Sequence, residues 1–492
     1  MLNALFQAVR GDDPYEQLIS AIINIERQPQ AELKLRRAEA ERLKGVLNDF
    51  DSSLSSLHAV LESLTDVVSN PFEARTASVS EGASFRVTAS EAAGLGTHTV
   101  QVERLARTDT RISDQLTAGG TSLRSFFDTN GAQTFSIEVA TPSGATSRTA
   151  IDVTVDPTGT TDAEILAEIA TAIDEAMSTA VTDGTLRSTE RAYASVVNET
   201  SDTARLSLRS GQTGFTHRLS FVDSGAGLLA QIGLSNNALA AGTTGGQVTL
   251  VGTSETDSEL NSKFTLDGLT LYRDTNQVSD ALPGITLTLE GTDTRPYDFS
   301  VSPDATSITS EIQNFIERYN EVLGFIEGKA RVDGENDVRG DFAGETAFTA
   351  LRFNMRTDLA NAVPSASGDG PAYLSDIGIT INNDGTLELT DEDALLAAVE
   401  QDAGAVQRLF AGPDGFATRL LTRIDGYVSS NGVLDNRLEV MDNRIQRLND
   451  RIAEWDDRLA QREAQLRQEY ARIQEIIGSL QSQQQSFLSF FA

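Results

Sequence analysis

The chain has 492 residues, 39% hydrophobic and 23% charged, and its 72 Asp+Glu against 39 Lys+Arg give a formal net charge of −33. That length suits about three domains. The acidity argues against nucleic acid or an anionic membrane as partner, because both are held by Lys/Arg clusters and no basic patch is expected anywhere in the chain. With no cysteine at all, disulfides, thiolate metal sites and Cys nucleophiles are excluded.

The N-terminal "MLNALFQAVRGDDPYEQL" lacks the basic start and apolar core of a secretory signal. From there to about residue 70 the pattern is helical, and Pro29 divides it because proline cannot continue a helix interior. Beyond the break, Leu43, Leu47, Phe50, Leu54, Leu57, Leu61, Leu64 and Val68 alternate in steps of four and three, a heptad seam that Pro71 stops. Between 76 and about 300 the text turns rich in Thr, Ser, Gly, Val and Ile. Runs such as "SFRVTAS", "TFSIEVA" and "GITLTLE" alternate at period two, which predicts half-buried strands. One helix interrupts them at "TTDAEILAEIATAIDEAM", where Thr161 and Glu164 have capping-box spacing. The glycine-rich "AAGTTGGQ" at 240–247 is expected to separate two β-rich subdomains.

A further seam runs through Ile308, Ile312, Phe315, Tyr319, Val322 and Ile326. Near 380 a hairpin is expected with Asn383-Asp384-Gly385 at its turn, followed by a helix capped by Thr390. The last seam is Leu434, Leu438, Met441, Ile445, Leu448, Ile452, Trp455 and Leu459. It falters at Arg462 and Glu469, then recovers at Leu466, Ile473, Ile476 and Leu480. So narrow a stripe needs a partner helix, and the expected one is the chain's own Leu43–Val68 seam, with the Ile308 helix beside them. Dimerisation through the seam is the second reading. Phe487, Leu488, Phe490 and Phe491 crowd the C-terminus, and clusters of that kind mark contact sites.

Chemistry-bearing patterns are sparse. His58, His98 and His217 are isolated, His58 being expected on the solvent side of its helix. Asn382, Asp384, Gly385 and Asp391 come near calcium-loop offsets. Thr380 and Asp391, however, replace the first carboxylate and the bidentate glutamate, so a plain hairpin turn is preferred. "RGD" at 10–12 and 339–341 reads as turn or linker. No active site, metal or cofactor is expected.

In chain order, "YEQLISAIINIERQPQAEL", "ASEAAGLGTHTVQVERLAR", "FTLDGLTLYRDTNQVSDALPGITLTLEGT", "IQNFIERYNEVLGFI" and "LSDIGITINNDGTLELTDEDALLAAVEQDAGAVQRLFAG" resemble the flagellar filament capping protein family, also called flagellar hook-associated protein 2. "LSLRSGQTGFTHRLSFVDSGAGLLAQIGL" is similar to a module inserted in flagellins. The resemblance implies a multidomain α+β fold: a helical coiled-coil leg formed by both termini, with two β-rich head domains inserted between them. The expected segments are flexible terminal helices ordered on assembly (1–40 and 460–492) and a helical leg with a small hairpin (41–76 and 300–459). A β-rich head (77–122 and 248–299) and an outer β-rich domain with one helix (123–247) complete the set. It also implies an extracellular structural protein at the flagellum tip, exported by the flagellar type III apparatus without a cleaved signal. The implied partners are its own copies in a ring (a pentamer), flagellin, the hook–filament junction proteins and an export chaperone. Phe487, Leu488, Phe490 and Phe491 would touch the filament. A surface adhesin using the β-rich domains is the alternative.

Overall fold

The structure, a computed structural model, describes residues 14–141, 144–234, 237–333, 338–364, 366 and 370–490. It contains two compact units, one from Met1–Glu73 with Ala305–Ala492 and one from Ala74–Asp304. The chain enters through α1 (Pro14–Glu26) and α2 (Gln28–Thr65). Arg27 between them keeps a helical backbone, and Pro29 occupies the first turn of α2, where its missing N–H would be unpaired in any case. The proline therefore marks a joint, not a stop.

α2 ends earlier than its heptad suggests. Asp66 turns extended (φ −63°, ψ 137°), and its carboxylate accepts the Val68 amide at 2.9 Å. This local side-chain turn competes with the helix. It leaves Val68 83% exposed and outside the seam.

The inserted unit opens with β1 (Arg75–Val79), β2 (Phe85–Ala89), β3 (Gly96–Arg104), β4 (Thr108–Ile112) and β5 (Leu116–Thr117). Next come α3 (Ser122–Asn130), β6 (Gln133–Thr141), β7 (Gly144–Val155), α4 (Asp162–Thr182), β8 (Ala192–Asn198), β9 (Thr203–Thr213), β10 (Ser220–Asp223) and α5 (Leu228–Gln231). It closes with β11 (Gly246–Gln247), β12 (Ser262–Leu266), β13 (Leu269–Arg273), β14 (Gln277–Leu282), β15 (Ile285–Leu289) and β16 (Tyr297–Pro303). Thr161 and Glu164 form the reciprocal capping box at the start of α4.

Two cores result. Sheet β1-β16-β3-β12-β13 and sheet β14-β15-β2 bury alternate residues, among them Val100, Phe264 and Phe299 on one and Val87, Ile285 and Leu287 on the other. The second core packs α4 through Ile165, Ile169 and Ile173 against strands β6 to β9. Its sheet recruits β4 and β5 onto β9, and β11 onto β4. The sheet of this second core thus takes in β4 and β5, which lie before residue 123, and Gly246–Gln247 at the end of the glycine-rich stretch. These short strands pair with partners far away in the chain.

A buried ion pair sits in that second core. Arg111 and Asp109 are 1% and 0% exposed. Arg111 Nε and Nη2 donate to the two Asp109 oxygens at 2.6 and 2.9 Å, and the Leu219 amide donates to the same carboxylate at 2.8 Å.

The chain then returns to the first unit through α6 (Ala305–Ala330), β17 (Val332–Asp333), β18 (Val338–Arg339), α7 (Thr346–Ala360), β19 (Ile379–Ile381), β20 (Leu387–Leu389), α8 (Glu392–Ala411), α9 (Phe416–Val428) and α10 (Val433–Phe490). All six seam residues of α6 are fully buried. The cap of α8 is Asp391, whose side chain accepts the Ala394 amide at 3.0 Å; Thr390 instead bonds to Gly378 O. Phe50 of α2 lies 5.2–5.3 Å, centroid to centroid, from Phe325, Phe342 and Phe348.

Removing one half of the buried ion pair is strongly destabilising, because it strands the other charge. Asp109→Ala should lower the stability of the inserted unit by about 3–5 kcal/mol. Urea unfolding should show this loss in one transition, with the helical unit's transition unmoved.

Candidate functional site

The longest helices of the first unit, α2 and α10, form a leg. α10 is a single helix of 58 residues and α2 one of 38. They run antiparallel, and the contact changes character along its length. At the base, Leu47, Phe50, Leu54, Leu57, Leu61 and Leu64 enter the main core with α6 and α9, where Leu434, Leu438 and Met441 join them. Leu43 is half-buried at the upper edge. Above this, Leu448 and Ile452, with Ile445 and Trp455 alongside, pack on Leu33 and Ala40. Higher still, Leu459 and Leu466 pack on Ile19 and Ile23 of α1, and Tyr15 meets Tyr470 with ring centroids 5.5 Å apart.

This corrects the expected pairing. From Ile445 onward the C-terminal seam lies not on Leu43–Val68 but on the segment before it, residues 15–40. The reason is visible in the polar contacts. Gln30 donates to Asp456 at 2.5 Å, Arg37 to Asn449 at 3.4 Å, and Lys44 bonds Asp442. These three rungs are one heptad apart on both helices. The face of α2 that meets α10 therefore reads Gln30, Leu33, Arg37, Ala40, Lys44, Leu47, with a polar residue at every second seam position. A search for apolar residues passes over it. The signal that would have found it is Gln30/Arg37/Lys44 set against Asp456/Asn449/Asp442.

Two further pairs extend the ladder outward: Arg462 with Glu26 at 3.3 Å and Arg467 with Glu16 at 3.2 Å. Arg462, which seemed to interrupt the seam, is a cross-helix partner. One heptad below Lys44 the pattern sets Asp51 opposite Asp435. Burial, and then the Asp435 charge, push the Asp51 carboxyl above its ordinary value.

The other end of α10 is less enclosed. Past Tyr470, Ile473, Ile476 and Leu480 are 42–57% exposed. The side chains of Phe487, Leu488 and Phe490 lie outside the described residues, as does Phe491 altogether.

The remaining candidates are structural. His58 is half-buried, not solvent-facing, and its Nε2 lies 2.7 Å from Asp425. His98 lies 2.7 Å from Asp267. Burial lowers the affinity of His217 for a proton. Asp384 accepts both the amide and hydroxyl of Thr386, as a hairpin turn requires, and Gly385 takes φ +93° there. Asp341 of the second RGD accepts two bonds from Arg42 at 3.1 and 2.5 Å, with its side chain 13% exposed. That carboxylate ties α2 to the segment after β18 and is not presented to a receptor; the first RGD lies outside the described residues. Among the described residues no cluster of His, Asp and Glu could hold a metal ion, and no helix is long and apolar enough to cross a membrane.

Two substitutions probe the leg. A carboxyl raised in the folded state costs stability while ionised, and that cost fades as pH falls through its raised value. Asp51→Asn should therefore raise the melting temperature at pH 7 and lose its advantage as pH falls towards about 4, near the ordinary carboxylate range. Ile452→Ala should weaken the leg by about 2 kcal/mol, the low end for a buried aliphatic, since the groove is only two helices thick. Hydrogen exchange should report it as faster amides in 30–40 and 445–460, with the core around Phe50 unchanged.

Comparison with known proteins agrees with this architecture. The family model for the N-terminus of flagellar hook-associated protein 2 matches residues 14–109, and the model for its C-terminus matches 260–482. The A-type flagellar hook-associated protein 2 of Pseudomonas aeruginosa is 28% identical over 447 residues, 86% of this chain and 84% of that one. The B-type protein of Pseudomonas aeruginosa PAO1 is 28% identical over 443 residues, 87% and 85% of the two chains. The crystal structure of the flagellar cap protein FliD D1-D2-D3 domains from Escherichia coli superposes with a TM-score of 0.54 at 22% identity, covering 80% of this chain and 99% of that one, which shows a shared multidomain α+β fold. With both ends of one family matched in order around an inserted β-rich unit, this chain belongs to the flagellar hook-associated protein 2 family.

Proposed function

We propose that this chain is a structural protein that caps the distal end of the bacterial flagellar filament, guiding flagellin subunits into place and keeping them from leaking away. The observation that carries the reading is the match of both family models around the leg, together with relatives named flagellar hook-associated protein 2 over most of their length and a solved structure of the same fold described as a flagellar cap protein. The protein works outside the cell at the filament tip, as a homo-oligomeric ring seated on flagellin. Five copies, an export chaperone and contacts with the hook–filament junction proteins complete the proposal. It has no catalytic role.

The leg's physics suits this task. Its outer third is held by the small cluster of Ile19, Ile23, Leu459 and Leu466, far less than the core at its base. We assign to the segments 1–40 and 460–492 an equilibrium between loose and ordered states, with assembly favouring order. Phe487, Leu488, Phe490 and Phe491 are the filament-facing residues in this proposal.

Deleting residues 462–492 in the producing bacterium tests it. The expected outcome is loss of filament growth with monomeric flagellin in the medium; normal filaments in that strain would refute the reading.

A further inference from the structure

Two flanks border the α10 seam, and they carry opposite charge. In a heptad helix the positions just outside the apolar stripe fall on its two sides. On one side stand Arg437, Arg444, Arg451 and Arg458, each one heptad from the next. On the other stand Asp435, Asp442, Asn449 and Asp456, at the same spacing. Each arginine sits two residues beyond its counterpart on the other flank, which is an aspartate except for the neutral Asn449 opposite Arg451, a difference in height of about 3 Å at 1.5 Å per residue. This basic flank corrects the expectation of no basic patch, and it was overlooked because these arginines are seven apart and interleaved with acids.

The three hydrogen-bonded rungs to α2 use one flank; on the other, Arg444 acts on Glu39 of α2 only through its charge. Lys44, Arg37 and Gln30 reach Asp442, Asn449 and Asp456. Of the arginines, Arg437 is taken by Glu345 at 2.6 Å, and Arg458 pairs with Glu454 at 3.8 Å and lies over the Trp455 ring 5.3 Å from its centroid, both on its own helix. Arg444 and Arg451 are exposed and make no hydrogen bond or ion pair with a described residue. Asp442 keeps its side chain 56% exposed beside Lys44, so its flank can still receive a second cation.

We propose that the arginine flank of α10 docks on the acidic flank of α10 in a second copy of this chain, legs side by side and parallel. Charge complementarity picks the occupant: apart from the neutral Asn449 the two flanks are opposite in sign, they share the seven-residue spacing, and they differ in height by only about 3 Å, so one copy presents what the next requires. A contact between two different faces is heterologous, and when its rotation closes it generates a ring. This proposal rests on the cap reading above and adds the surfaces that join its subunits.

Sedimentation velocity of the full chain over a concentration series tests it. The triple variant Arg444→Glu, Arg451→Glu, Arg458→Glu should need at least tenfold higher concentration to assemble, with circular dichroism unchanged. Raising salt should weaken the wild-type chain in the same direction. A second construction avoids any folding defect: Asn449→Cys with Arg451→Cys in this cysteine-free chain. The two thiols point to opposite sides of one helix, so mild oxidation should yield a ladder of linked copies in denaturing gels. A charge-reversed variant that assembles at wild-type concentration, or a double-cysteine oligomer that stays unlinked, would overturn the flank contact and leave the cap reading intact. A wild-type chain that is monomeric at every concentration would overturn the ring itself.

Discussion

The antiparallel register of α2 on α10 governs the first unit. α2 crosses two environments in 38 residues. Its lower half is surrounded and reads as an uninterrupted apolar seam. Its upper half meets a single helix and alternates apolar with polar. A two-helix contact buries little, so apolar side chains alone would hold it weakly and leave it free to slip by a turn. The Gln30, Arg37 and Lys44 rungs remove that freedom, because a slip would strand each of them against a hydrocarbon or a like group. Register, and with it the height of every side chain on α10, follows from three polar pairs.

The inserted unit depends on a different use of charge. Asp109 and Arg111 lie within a sheet core, satisfied by each other and by the Leu219 backbone. Such a pair contributes little net stability compared with a well-packed apolar substitute, yet tolerates no partial removal. It joins β4 to the Leu219 backbone beside β10, two sheets whose strands are distant in sequence. In both units, then, apolar periodicity supplies the driving force and a few polar contacts decide which of several similar packings is adopted.

Much of this was legible beforehand. The α6 seam, the α4 capping box, the hairpin at Gly385 and the alternating strands of the sandwich are local patterns, and each appears where its spacing placed it. The errors have local causes of their own. Val68 continued the heptad, but Asp66 offered its amide a nearer acceptor. Thr390 looked like a cap, but Asp391 held the better-placed oxygen. The upper leg was missed because its α2 face is half polar.

By itself the sequence determined which segments are helix or strand, which stripe of each is buried, and the family order of its motifs, since all of these depend on spacing within a few turns. Only the tertiary structure decided which stripe meets which. An apolar seam is compatible with any other seam of the same period, and the choice between them rests on polar side chains far apart in the chain: Gln30 with Asp456, Arg37 with Asn449, Lys44 with Asp442. The division of Arg437, Arg444, Arg451 and Arg458 from Asp435, Asp442, Asn449 and Asp456 is by contrast local, since the heptad period alone puts them on opposite flanks of α10; which flank meets α2 was decided by the tertiary structure.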